Sequence, residues 1–145
     1  SWPAATGKPG GLTHQPGHLI DLMATCADVG GARYPETFDG EKITPLEGKS
    51  LRPIIEGRSR QGHSEIFWEH EGNRAVVQGR WKLVSRHPGQ WELYDIEADR
   101  TEMNNLAGRN AGKVTDISAK YEAWAARANV TPWEQVVKAP RTVAR

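Results

Sequence analysis

The sequence WEHEGNR at residues 68–74 gathers aromatic, acidic, basic and imidazole side chains around His70. Turns at the ends of strands are places where binding and catalytic groups collect on a rigid scaffold. A histidine beside a carboxylate can change its charge near neutral pH and meet an anion. From spacing alone, an ordinary solvated turn is an equally good interpretation of this segment.

Two smaller sets have residue types that suit metal or nucleophile chemistry, but not the spacing. His14 and His18 are four residues apart, yet Pro16 lies between them, which argues against a helical two-histidine metal face. Cys26 is the single cysteine, so an internal disulfide is excluded and the redox compartment stays open. It lies in the apolar run LMATCADV, which favours a small buried thiol over a nucleophile.

An acidic cluster of Asp95, Asp99 and Glu102 raises the question of Ca²⁺. The cluster lacks the alternation and the central glycine of a calcium-binding loop, so turn and capping roles are predicted. The sequence contains no glycine-rich phosphate loop, paired-cysteine metal site, nucleophile elbow or HExxH helix. We therefore assign no catalytic residue and no metal ligand to this chain.

Four short runs must position the turn at His70: residues 65–70, 74–78, 80–85 and 90–94. Apolar and polar side chains alternate within the runs, and glycine or proline-glycine separates them. Side chains on a strand point alternately to its two faces, and these separators permit tight reversals. The pattern predicts a four-stranded antiparallel meander with one buried face.

The strongest helical pattern occupies residues 112–129. Its apolar residues recur at intervals of three and four, at Val114, Ile117, Tyr121, Trp124 and Ala128. This stripe is predicted to cover the open face of the meander and to bury Trp81 and Trp91 beneath it. A short amphipathic piece at residues 133–137 and a basic tail follow, and the tail is expected to fray.

The first part of the chain has less regular structure. Residues 1–17 are rich in proline and glycine and predict an extended lead-in. Residues 18–29 have the spacing of a helix with one buried apolar stripe, ended by two glycines. Residues 32–64 predict a long loop with at most one helical turn around residues 51–55, packed on a surface outside this sequence.

Composition excludes several classes of function. The chain has 145 residues, with 19 Lys and Arg against 18 Asp and Glu interspersed along it. This balance argues against a footprint for nucleic acid or for an anionic membrane. We find no apolar run of bilayer length and no signal segment. Because the sequence starts at Ser1, we expect a mature product, a trimmed chain or an excerpt, and both periplasmic or secreted and cytoplasmic locations stay open.

Several motifs resemble the C-terminal part of type I sulfatases, the formylglycine-dependent arylsulfatase group. The main ones are IFWEHEGNRAVVQGRWKLV at residues 66–84 and WELYDIEADRTEMNNLA at residues 91–107. Arg100 stands where that family usually has proline. The family's order is also followed upstream, by WPA at residues 2–4, HLIDLMATCADVGG at 18–31 and GKSLRPIIEG at 48–57.

The resemblance implies a sulfuric ester hydrolase as the parent protein. In that family a formylglycine, made from Cys or Ser in a Cys/Ser-x-Pro-x-Arg motif, lies beside Ca²⁺ in the N-terminal domain. Cys26 is followed by Ala27 and Asp28, and no such motif occurs in this chain. The resemblance therefore implies a region that has no cofactor of its own, is inactive alone, and completes the substrate cleft. It also implies that His70 and Asn73 contact the substrate at the cleft rim.

The implied fold class is α+β, a four-stranded antiparallel sheet packed by a C-terminal helix. Residues 61–145 would form this small C-terminal subdomain. Residues 1–60 would be the end of a large α/β domain of the alkaline-phosphatase type, with an upstream partner in the parent enzyme. Without that partner, the chain is expected to expose apolar surface and to self-associate.

Two other functions stay open. One is a phosphoester or phosphonate hydrolase of the same superfamily. The other is a non-catalytic carbohydrate-binding module, whose tryptophan-rich sheet would grip sugar rings.

Overall fold

Two folding units divide the chain, Ser1–His63 and Ser64–Arg145. The computed structural model describes residues 2, 4–6 and 10–138. The basic tail that is predicted to fray comprises residues 138–145, and all of it except Lys138 lies outside this part. That residues 1–60 belong to a larger domain stays a prediction.

The first unit contains little regular structure, as expected. Its elements are α1 (Asp21–Val29), β1 (Thr37–Phe38), β2 (Glu41–Lys42) and the single helical turn α2 (Arg52–Ile55). The turn α2 confirms the prediction around residues 51–55. The hairpin β1–β2 was missed, because its strands are too short to show alternation. Its reversal at Asp39 and Gly40, both with positive φ, is the typical hairpin signal.

The apolar stripe of α1 is exposed rather than buried. Leu22 is 53% exposed and Met23 58%, and Cys26 is also exposed. The predictions of a buried stripe and of a buried Cys26 thiol are therefore wrong within this unit. The physical reason is that α1 turns a polar side chain inward, since its one buried residue is Asp21.

The second unit is a four-stranded antiparallel sheet in the order β3-β4-β5-β6. The strands are β3 (Ile66–His70), β4 (Asn73–Gln78), β5 (Trp81–Ser85) and β6 (Glu92–Asp95). Each strand follows its neighbour in sequence, so the predicted meander is confirmed. The strand ends differ from the prediction by up to two residues.

One face of this sheet is covered by α3 (Ala111–Arg127). The register aligns Phe67, Val76 and Leu83 across the sheet, and Leu93 continues the row. Ile117 and Tyr121 of α3 complete the buried core, and Trp81 and Trp91 pack against it. Burying each such side chain contributes roughly 1.5–3 kcal/mol.

The α3 cover confirms the sequence prediction, and Trp81 and Trp91 pack against the core beneath it as half-buried side chains. Trp81 and Trp91 pack into the core, which counts against their use as a sugar-binding platform.

A 3₁₀ turn, Ala107–Arg109, precedes α3, and α4 (Trp133–Lys138) follows it. None of the helices in residues 2, 4–6 and 10–138 is long and apolar enough to cross a membrane.

Candidate functional site

The turn that joins β3 to β4 brings the two predicted substrate-binding residues together. His70 pairs with Asn73 in the strand register. Between them, Glu71 and Gly72 have φ of 52° and 80°, which is typical of a tight hairpin turn. Asn73 Nδ2 donates to the carbonyl oxygen of His70 at 2.8 Å. Both side chains are exposed at the sheet end, and their contact with substrate stays a prediction.

Asn73 also connects this turn to the next one along the sheet edge. The backbone N–H of His87 donates to Asn73 Oδ1 at 3.1 Å. The His87 ring lies over Gly72 so closely that a Cβ added there would be 2.8 Å from the ring. Gly72 is therefore required both by its positive φ and by this contact. Asn73 has a structural role in addition to any contact with substrate.

Arg74 is a residue of this region whose role sequence reasoning missed. Its guanidinium carbon lies 4.3 Å from the ring centroid of Trp91, a cation–π distance. Nη2 donates to Ser85 Oγ at 3.3 Å, and Nη1 lies 3.4 Å from a carboxylate oxygen of Glu122. These partners are 11 to 48 residues away in sequence, so no local pattern could reveal them.

In the first unit, Asp21 is the centre of a buried polar cluster. Its side chain is 0% exposed. It accepts hydrogen bonds from the backbone N–H groups of His18 at 2.9 Å and Lys49 at 2.8 Å. Arg60 Nη2 donates to Asp21 Oδ2 at 2.8 Å, and His63 Nε2 lies 2.6 Å from Asp21 Oδ1. Because an ionised carboxylate can only accept, His63 Nε2 carries the proton in this contact.

The cluster keeps Asp21 ionised. Burial is the largest single influence and raises the pKa of Asp21. Hydrogen bonds from Arg60, the Lys49 backbone, His63 and the His18 backbone outweigh burial together and hold the pKa well below its usual range. The arrangement fastens the segment around Lys49 and residues 60–63 to the start of α1.

A further hydrogen bond and a close backbone approach hold the segment around Lys49 against the start of α1. Arg60 Nη1 donates to the carbonyl oxygen of Lys49 at 2.5 Å. A Cβ at Gly48 would lie 2.0 Å from the carbonyl oxygen of Ile20, so only glycine fits there. A sequence signal for this cluster was present, since Asp21 interrupts an apolar helical run.

Two of the three acidic residues at positions 95, 99 and 102 have the predicted turn and capping roles, whereas the Glu102 side chain forms an ion pair. Asp95 accepts from two backbone N–H groups of the following turn at 3.2 Å each. Asp99 accepts from the backbone N–H of Asn104 at 2.8 Å, and Glu102 pairs with Lys82 at 2.5 Å. The prediction of turn and capping roles is confirmed for Asp95 and Asp99.

The described residues do not fit the metal and nucleophile of a sulfatase. Within residues 2, 4–6 and 10–138, no group of three or more His, Cys, Asp and Glu side chains could hold a metal ion. The carboxylate of Asp21 is already occupied by nitrogen donors. Cys26 lacks the Pro and Arg of the Cys/Ser-x-Pro-x-Arg motif.

Several of the curated proteins that resemble this chain are sulfatases, although no protein-family model matches the chain. The chain is 28% identical over 138 residues to a sulfatase of Formosa agariphila, covering 81% of this chain and 24% of that protein. It is 30% identical over 116 residues to a choline-sulfatase of Rhizobium meliloti, covering 77% of this chain and 22% of that protein. The chain therefore spans about a quarter of the length of these curated relatives.

Solved structures agree on the fold. A protein in complex with its substrate D-glucosamine-2-N,6-O-disulfate has a TM-score of 0.57 at 22% identity, covering 79% of this chain and 25% of that chain. The phosphonate monoester hydrolase of Agrobacterium radiobacter has a TM-score of 0.53 at 22% identity, covering 74% of this chain and 24% of that chain. At these identities the likeness shows the fold alone, and the fold of the second unit is the predicted α+β arrangement of a four-stranded antiparallel sheet packed by a helix.

Proposed function

We propose that the parent polypeptide of this sulfatase C-terminal region is a sulfuric ester hydrolase whose substrate cleft the region helps to complete. The observation that carries the proposal is sequence similarity to curated sulfatases over 81% and 77% of the chain. The motifs in the two long segments around β3–β6 point the same way. The proposal concerns the parent protein, and the isolated chain is expected to be inactive.

The nucleophile and the metal would come from the remainder of the parent. A formylglycine beside Ca²⁺ supplies the nucleophile for sulfate ester cleavage in this family. The described residues contain no candidate for either group, so we assign both to the part of the parent outside this sequence. What this chain's own residues contribute is binding and orientation of the organic part of the ester.

His70 and Asn73 are the residues we propose for that contact. They lie at an exposed tight turn. The His87 backbone N–H donates to Asn73, and the His87 ring packs on Gly72, so these contacts hold the backbone of the turn in place. A neutral or cationic imidazole together with an amide can bind hydroxyl or anionic groups of a substrate. Because Asn73 also braces the turn, His70 gives the cleaner test.

The exposed apolar side of α1, together with Leu19 just before the helix, is proposed to pack against the remainder of the parent. Leu19 is 77% exposed, Leu22 53% and Met23 58%. An apolar group of this kind on a surface marks an interface or a liability for association. The occupant we propose is the upstream domain, since curated relatives are about four times as long as the matched segment.

The test is made on the complete parent enzyme. Sequencing upstream of Ser1 should reveal a Cys/Ser-x-Pro-x-Arg motif, and the purified parent should hydrolyse p-nitrocatechol sulfate. The 145-residue chain alone should show no turnover of this ester. A parent without the motif, or turnover by the chain alone, would refute the proposal.

The role of His70 is tested by His70→Ala in the parent, with His14→Ala as the control because His14 is another exposed histidine. We expect His70→Ala to change the ratio of kcat/KM between two sulfate esters with different organic groups, and His14→Ala to leave the ratio unchanged. An unchanged ratio for both variants would remove His70 from the site. Faster turnover of a phosphonate monoester than of any sulfate ester would favour the hydrolase alternative.

A further inference from the structure

A cleft in the second unit lies beside the two turns described above. It has a volume of about 320 Å³ and is lined by one end of the sheet, by α3 and by residues up to α4. This volume is at the lower end of the range for small-molecule sites, roughly 300–1,000 Å³. Its walls combine the apolar side chains of Ala125, Val130 and Trp133 with a small set of polar groups.

Tyr121 forms part of the wall and is nearly inaccessible, with 2% of its surface exposed. The centroid of its ring lies 5.4 Å from the ring centroid of Trp91 and 5.6 Å from that of Trp124. Within the part of the chain that the structure describes, Arg60 Nε is the one fully buried side-chain polar atom without a hydrogen-bond partner, so the Tyr121 hydroxyl is not fully enclosed and reaches the cleft. Burial and the nearby Glu69 carboxylate raise the pKa of Tyr121 to about 12, so the hydroxyl keeps its proton and is available as a donor.

The charges around the cleft are predominantly negative. Glu69, Glu122 and Glu134 contribute three carboxylates, and Arg74 is the one permanent cation among the lining residues. Arg74 is already engaged by the Trp91 ring, by Ser85 and by Glu122. Glu122 lies 3.4 Å from Arg74 and Glu134 lies 3.5 Å from His87, but 65% and 60% of their side chains are exposed, so each keeps carboxylate oxygens open to a ligand. This excess of carboxylates attracts cations and repels sulfated or carboxylated ligands.

We propose that this cleft binds a small hydroxylated organic cation, with an amino sugar that carries a free ammonium group as the representative of the class. Glu122 and Glu134 receive the ammonium group and hydroxyl protons, and the Tyr121 hydroxyl donates to an oxygen of the ligand. Trp133 supplies apolar cover. The lining residues all lie in the second unit, and binding to the chain is measured without turnover of any sulfate ester, so the inference is tested separately from the proposed sulfatase activity.

Three sugars that share one ring and differ in charge test the proposal. The ¹⁵N-labelled chain, kept at a concentration below its self-association, is titrated with D-glucosamine at a pH where the amine is protonated, with neutral N-acetyl-D-glucosamine, and with anionic N-acetyl-D-glucosamine 6-sulfate. D-glucosamine is expected to cause saturable changes in the NMR chemical shifts of the Gly72 and His87 amides and of the Trp133 indole N–H. The neutral sugar should bind about fivefold more weakly, and the anion should give no saturable shift.

Two variants locate the binding groups. Tyr121→Phe keeps the buried ring and removes the hydroxyl, and it should weaken D-glucosamine binding about fivefold. Glu134→Gln should weaken it also, whereas Glu97→Gln makes the same change at an exposed carboxylate outside the cleft and should have no effect. Circular dichroism confirms that each variant is folded.

The proposal is overturned by any of three results. The first is equal or tighter binding of the sulfated sugar, and the second is shifts confined to residues outside the cleft. The third is no response to D-glucosamine in the folded wild-type chain.

Discussion

Replacing Asp21 with Asn should lower the free energy of unfolding of the first unit while leaving the second unit folded. The amide has the same shape as the carboxylate but carries no charge, and one of its two terminal atoms is a donor. Arg60, whose side chain is 6% exposed, would lose its buried counter-ion. His63, at 10% exposure, would face either the new donor or a weaker acceptor.

The magnitude follows from this burial. Removing one partner of a buried ion pair costs about 3–5 kcal/mol, because the other charge stays buried without compensation. At 1.4 kcal/mol for each factor of ten, this cost corresponds to amide hydrogens that exchange about a hundredfold to several thousandfold faster through opening of the first unit. The only fully buried side chain among the described residues of the first unit is Asp21 itself, so little apolar burial is present to offset the loss.

Amide hydrogen exchange measures this loss directly. The amide hydrogens of Lys49 and Leu51 are bound to Asp21 and Thr25, and they should exchange much faster in Asp21→Asn. Amides of Val76 and Leu83 in the sheet serve as the internal control. Asp39→Asn, the same change at an exposed turn residue, serves as the control variant.

The pH dependence gives a second readout of the same group. The pKa of Asp21 is lower in the folded state than in the unfolded state, so its contribution is present above the ordinary Asp value of about 3.9. The contribution is lost as the pH falls through the folded-state pKa. Exchange of the Lys49 amide in Asp21→Asn that matches the wild type at neutral pH would refute the reasoning.

Two further predictions concern the turn and α1. Gly72→Ala should lower the melting temperature more than Gly79→Ala: both glycines have positive φ, but only the Cβ at position 72 would meet the His87 ring. Equal shifts in thermal denaturation would contradict the close contact. The isolated chain should associate at high concentration, and Leu22→Lys with Met23→Glu should make it monomeric in light scattering. The same pair of changes at the exposed residues 136–137 is the control, and a monomeric wild-type chain would contradict the prediction.

The second unit could be predicted in detail because its signals are local. Alternation over β3–β6 and the three-and-four spacing of Ile117, Tyr121 and Trp124 each follow from the geometry of one element. Two periodic apolar surfaces next to each other in sequence have few ways to pack. The four-stranded sheet and the helix that covers it could therefore be predicted from the sequence.

The polar contacts could not be predicted in the same way. Asp21 meets Lys49, Arg60 and His63 across 28 to 42 residues of irregular chain, where no period constrains the register. An aspartate within an apolar helical run has two interpretations, a solvated edge or a buried anchor, and the partners decide between them. The same holds for Asn73, whose bond to His87 depends on how two successive turns align.

The polar interior of the first unit has a thermodynamic consequence. All seven buried hydrophobic residues of the described chain lie in the second unit, while the first unit is held chiefly by hydrogen bonds around Asp21. Heat capacity and denaturant sensitivity both scale with the surface that unfolding exposes. Melting of the first unit should therefore be broad and nearly silent in calorimetry, and the sharp calorimetric peak of the chain should report the sheet and α3 alone.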